Sequence, residues 1–276
     1  MHYAQFYDQV MKQIEAGQAK NALIQLSGML DATSMNAGGL AAAGDVMRQH
    51  DLYSLMQRAL IGRSGDERGR RSAVPALFDA PALSHGFDPT TKRVFAAMRE
   101  IPPVSAILKR ADHAGRIIAR AWKDGHSICL SGTGHSEPLR LLDGRDLGNI
   151  SVCGAQQRFE TLDEALASSQ RFDLIYAPDV LLETKADALS ATLTRITASL
   201  EPDGMALMTS LMPNHLGSGW RQLCLGWDPE CHGEESLSAA ADLAGIKARI
   251  YDDSEGCILW CELVRADENK RGSITA

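Results

Sequence analysis

The chain has 276 residues, 35 acidic against 28 basic, for a formal charge of -7. Its longest basic cluster is the short run Arg68 to Arg71, which argues against a nucleic-acid partner. No apolar stretch reaches the roughly 18 to 20 residues that span a bilayer, and Met1 to Gln5 has no basic flank leading into an apolar segment, so a soluble, cytoplasmic protein without membrane insertion is expected.

Residues 3 to 61 carry apolar positions at helical spacing: Phe6, Val10, Met11 and Ile14, then Leu23, Ile24, Leu26, Met29 and Leu30, then Met47, Leu52, Leu55, Met56 and Leu60. Between the second and third of these helices, Ala37 to Gly44 reads as a flexible joint. Gly62 to Ser72 combines three glycines with eight polar or charged residues and reads as a solvated loop. A further helix is expected near Thr91 to Met98. A long one should run from about Val104 to Trp122, with Ile107, Ala111, Ala114, Ile118 and Trp122 on one face. Residues 1–103 are therefore expected to form an all-α attachment, serving as a lid or as the contact of a homodimer.

From about residue 125 the rhythm changes. Short apolar runs (Ile128 to Leu130, Ile150 to Cys153, Phe172 to Ala177, Met205 to Thr209, Ala248 to Tyr251, Ile258 to Val264) alternate with helical patterns near 137–143, 162–169, 184–200 and 234–244. Such alternation implies right-handed crossovers and a largely parallel sheet covered on both faces. Asp252 to Gly256 is too short for a parallel crossover, so an antiparallel last strand should close the sheet of residues 104–276. Cys129, Cys153, Cys257 and Cys261 lie in these apolar runs and read as reduced, buried thiols. Cys224, Cys231 and His232 cluster within nine positions but lack a fourth ligand, so no metal is expected.

In an open α/β sheet, ligands sit beyond the carboxyl ends of the strands, where the strand order reverses. The loop Ser131-Gly132-Thr133-Gly134 follows the first strand and is placed there. Its glycines let the backbone turn tightly, and Ser136-Glu137-Pro138 is a good helix start. The same residues also suit a turn that merely joins two packed elements. No phosphate loop, nucleophile elbow or zinc helix is present, and Pro138 and Leu139 break the dinucleotide fingerprint.

Taken in order, the loop 131–134, the segment Phe172 to Leu181, the turn Leu200-Glu201-Pro202-Asp203-Gly204 and the segment Leu243-Ala244-Gly245-Ile246 resemble the landmarks of the class I S-adenosylmethionine-dependent methyltransferases. The resemblance covers about residues 105–265 and implies a Rossmann-like sheet, S-adenosylmethionine as cofactor, and methyl transfer to an oxygen or nitrogen of a small molecule. It implies that Ser131, Gly132, Thr133, Gly134, Tyr176, Ala177 and Asp179 line the cofactor. Asp88-Pro89-Thr90-Thr91-Lys92-Arg93 and the region from Gly219 to Trp227 further resemble bacterial enzymes that make methyl esters of 3-hydroxy fatty acids.

Two departures fall on the nucleoside half of such a site. The second strand ends Cys153-Gly154-Ala155-Gln156-Gln157 without the acid that would accept both ribose hydroxyls, leaving Gln156 or Gln157 to accept one. Only 17 residues separate Gly154 from Phe172, enough for a short strand near Phe159 to Thr161 and one helix, with another helix lost. These departures support a rival reading, in which the fold is kept and the pocket serves another ligand, reaction or protein partner.

Displacement at a sulfonium methyl needs alignment more than a nucleophile. Where a base is needed, His135, Asp179, Glu183 and His215 are available. His135 either touches the ligand or caps its helix, and Glu183 reads as a favourable helix N-terminal charge. His215 lies in the loop Pro213 to Trp220, which shows no packing reason for so many special residues. His215 and His135 are thus the candidate catalytic groups. Trp220 and Trp227 either wall a substrate or cover the core.

Overall fold

The computed structural model describes residues 2–36, 38–61, 87–132, 148–153, 159–226 and 228–265. Expectations for the loop at 62–72, the helix at 137–143, and Thr133, Gly134, His135, Gln156, Gln157 and Trp227 lie outside them. The chain divides into two compact units, Met1–Leu108 with Asn214–Asp228, and Lys109–Pro213 with Pro229–Ala276. Among the described residues no helix is long and apolar enough to cross a membrane.

The first unit is helical: α1 Tyr3–Glu15, α2 Ala19–Ser34, α3 Gly39–Arg48, α4 Asp51–Ile61, α5 Pro89–Met98 and the start of α6 Pro102–Lys123. Tyr7, Val10 and Ile14 recur every three or four residues on α1 and bury one stripe against Leu23, Leu26, Leu30, Met47, Leu52 and Met98. At α5 the Asp88 carboxylate accepts from the Thr90 and Thr91 amides, both at 2.9 Å, and Pro89 takes the first helical position. The Asp-Pro-Thr-Thr motif is thus a helix start.

The joint expected within Ala37 to Gly44 is a helix from Gly39 onward. Its alanines are strong helix formers. Ala43 is fully buried, and its carbonyl accepts from the Tyr7 hydroxyl at 3.0 Å, so tertiary packing holds a segment whose glycines alone suggest freedom.

The second unit is a six-stranded Rossmann-like sheet in the order β2-β1-β3-β4-β6-β5, built from β1 Ile128–Leu130, β2 Ile150–Val152, β3 Phe172–Tyr176, β4 Leu200–Leu211, β5 Lys247–Asp252 and β6 Ile258–Val264. β2, β1, β3 and β4 run parallel, and β6 is antiparallel to both β4 and β5. The reversed last strand arises from the five-residue link, as expected. One core combines Phe172, Ile175, Met208, Leu259 and Cys261 with Leu189, Leu193 and Ile196 of α9 (Leu189–Ala198) and Leu237 and Ala241 of α10 (Glu234–Ala244). The opposite core joins Ala114 and Ile118 of α6 to Ile128, Leu130, Leu174, Tyr176, Leu207 and Trp260. Two further short helices, α7 Leu162–Ala167 and α8 Val180–Glu183, come after the ends of the strands.

The short strand expected near Phe159 to Thr161 is a single parallel bridge between Phe159 and Cys153. Immediately after it Thr161 caps α7, accepting from the Glu164 amide at 3.2 Å, while the Glu164 carboxylate accepts from the Glu160 amide at 2.8 Å. A capping box two residues past Phe159 leaves no room for strand pairing.

Candidate functional site

The sheet order turns at β1: the chain moves outward to β2, then returns to add β3 on the other side. Ligands of open α/β sheets sit at such a switch point, beyond the carboxyl ends of the strands. Ser131 extends the β1–β3 ladder, its amide donating to the Tyr176 carbonyl at 2.8 Å. Gly132 comes next with φ +95°, a conformation that side chains resist. A Cβ placed there would lie 3.0 Å from Asp179 Oδ2. The glycine therefore permits both the turn and the close approach of the Asp179 carboxylate from the loop after β3.

Asp179 is held from below by Arg110 of α6. The Arg110 Nη2 to Asp179 Oδ1 distance is 3.0 Å, with the two side chains 3% and 16% exposed. Arg110 Nη1 donates to Thr209 Oγ1 at 3.0 Å, and that hydroxyl donates onward to the Pro178 carbonyl at 2.8 Å. Burial works against the Arg110 charge, yet the Asp179 carboxylate and the Tyr176 hydroxyl hold its pKa above the ordinary arginine value. Burial likewise pushes the Tyr176 hydroxyl up to about 12, although Arg110 favours its ionised form. Tyr176 and Ala177 are buried in the cores on opposite faces of the sheet.

β2 ends differently. The Cys153 amide donates to the Leu130 carbonyl at 2.8 Å, and the Cys129 and Cys153 sulfurs are 3.7 Å apart. That is well beyond the ~2.05 Å of a disulfide. The thiol contact lowers the pKa of Cys153 and raises that of Cys129. None of the six cysteines is in a disulfide.

Of the candidates read from the sequence, Ser131, Gly132, Tyr176, Ala177 and Asp179 thus come together at the ends of β1 and β3. Arg110 is not among those candidates. Its signal is a charge in the apolar stripe of α6, at the turn that also carries Ile107, Ala111 and Ala114. Glu183 is exposed at the end of α8.

His215 belongs to the first unit, where it is 4% exposed and its Nδ1 lies 2.8 Å from the Leu216 carbonyl. Contrary to the expectation of a loop without packing duties, its neighbours are packing residues. The Asp31 carboxylate accepts from the Gly217 and Gly219 amides at 2.6 and 2.9 Å. A Cβ on Gly217 would lie 2.5 Å from Pro103, and one on Gly219 2.5 Å from the Leu30 carbonyl. Trp220 is fully buried in the helical core, which decides its role in favour of packing.

Among the described residues no group of three or more His, Cys, Asp or Glu side chains is placed to hold a metal. His232 instead binds backbone, with Nε2 2.8 Å from the Thr184 carbonyl and 3.1 Å from that of Leu181.

No protein-family model and no curated protein matches this sequence. Among solved structures, a possible exported protein of Bordetella parapertussis is similar with TM-score 0.52 and 16% identity, over 91% of this chain and 97% of that one. The magnesium protoporphyrin IX methyltransferase of Synechocystis PCC 6803, with S-adenosylhomocysteine bound, has TM-score 0.46 and 12% identity over 78% and 99%. The CurJ carbon methyltransferase has TM-score 0.48 and 15% identity over 96% and 99%.

Proposed function

We propose that this protein is an S-adenosylmethionine-dependent methyltransferase acting on an oxygen or nitrogen of a small molecule, apolar or acidic, in the cytoplasm. The observation that carries the reading is Gly132: a glycine in a left-handed conformation at the switch point of the sheet, faced by the Asp179 carboxylate. The order of the sequence landmarks around it supports the same assignment. The residues present fit the amino-acid end of the cofactor. The left-handed turn at Gly132 leaves its face open to a ligand, and the negative charge of Asp179 complements the ammonium group.

When bound, the cofactor supplies an electrophilic methyl group on a sulfonium. The protein's part is alignment and exclusion of water, with His135 as the base where the acceptor carries a proton. Calorimetric titration with S-adenosylmethionine and S-adenosylhomocysteine tests this: both should bind. Binding of neither would leave a methyltransferase-like fold with a different ligand, reaction or partner.

A further inference from the structure

Among the described residues of the second unit, Arg110 is the most deeply buried of the Lys, Arg, Asp and Glu side chains, and it reaches the switch point by two routes. Directly, it binds Asp179 Oδ1 at 3.0 Å, the carboxylate whose other oxygen lies against Gly132. Through Thr209 it fixes the Pro178 carbonyl, by successive bonds of 3.0 and 2.8 Å. Pro178 and Asp179 are the two residues between Ala177 and α8. One guanidinium on α6 thereby sets the position of both, across the ends of β3 and β4.

A carboxylate left to itself at this position would choose its rotamer with solvent. Paired with a guanidinium that is only 3% exposed, it is held in one place. We propose that Arg110 is a positioning residue for cofactor binding. It holds Asp179 oriented at the glycine turn, and so sets the affinity for the amino-acid end of the cofactor, which S-adenosylmethionine and S-adenosylhomocysteine share. This rests on the function proposed above. It adds a residue outside the strand-end loops that acts through Asp179 and, by way of Thr209, through Pro178.

Lysine at position 110 keeps the charge but loses the planar fork that serves Asp179 and Thr209 together. Arg110→Lys should raise Kd for both ligands by about tenfold to a hundredfold, the range spanned by a charge-assisted hydrogen bond. Asp179→Asn should do the same. The double variant should be weakened by less than the sum of the two single losses, because Arg110 then has no carboxylate to position and acts only on Pro178. Binding is measured by titration calorimetry at a temperature where circular dichroism shows each variant folded. Should Arg110→Lys not fold, Thr209→Val cuts only the route to Pro178 and should raise both Kd values by a smaller factor.

Unchanged affinity in folded Arg110→Lys, or in Thr209→Val where that variant bears the test, overturns the inference while leaving the proposed function standing. So do fully additive losses in the double variant. Wild-type protein that binds neither ligand overturns both.

Discussion

At the carboxyl ends of β1 and β3, a buried guanidinium joins Asp179, Thr209 and, through Thr209, Pro178, and presses the carboxylate against a glycine that could be nothing larger. At the end of β2, the contacts among the described residues include an amide bond, a pair of thiols 3.7 Å apart and a bridge between Cys153 and Phe159. The first region holds a buried charge pair, whereas the sequence at the second-strand end, Cys153 to Gln157, carries no acid. If the protein binds S-adenosylmethionine, its affinity should therefore rest on the amino-acid half of the ligand, and the ribose half should contribute less than an acidic second-strand end would give.

The largest effect expected from this contrast is on stability. Asp179→Ala leaves the Arg110 charge buried without its carboxylate and should cost about 3–5 kcal/mol, measured by urea unfolding. Cys153→Ala at the other end removes one sulfur and should cost about 1 kcal/mol or less. Equal costs would erase the contrast. Next comes Gly132→Ala, which places a methyl group 3.0 Å from Asp179 Oδ2 at φ +95°. It should cost about 1–2 kcal/mol and abolish cofactor binding by calorimetry.

A gain should be available at the end of β2. Gln156→Asp supplies the missing acid, and if the amide is a weakened ribose contact, Kd for S-adenosylmethionine should fall by about tenfold. No change would show that position 156 does not reach the ribose. The smallest effect concerns pH. The Tyr176 hydroxyl, raised by burial from 10.0 to about 12, is neutral in the folded protein over a range where the unfolded chain ionises. Its stabilising contribution is complete below pH 10 and is lost as pH rises through about 12. Tyr176→Phe should flatten that alkaline limb in thermal unfolding curves.

The alternation of strands and helices, the reversed last strand and α10 were legible because period-2 and period-3.6 patterns report local geometry. The helix expected near Thr91 to Met98 is α5, and its Asp88-Pro89 start, read in the sequence as part of a family-like motif, is a cap made by adjacent residues. Features made by distant contacts stayed hidden. The glycines of 217 and 219 look like marks of a functional loop until Leu30, Asp31 and Pro103 are placed beside them, nearly two hundred residues away for two of the three. The Ala-Gly run at 39–44 looks free until the Tyr7 hydroxyl is seen bonded to it. Of the proposed site, the glycine loop and Asp179 were read from the sequence. Arg110 was not, because a lone arginine on an apolar helix face identifies its partner only once α6 lies against β3 and β4.

The most direct test of the central claim is photolabelling with methyl-labelled S-adenosylmethionine, with tryptic mapping in the presence and absence of excess S-adenosylhomocysteine. The label should fall on the peptides 124–140 and 172–185, which carry Gly132 and Asp179, and should disappear under competition. Label confined to other peptides, or none that the competitor removes, would contradict it.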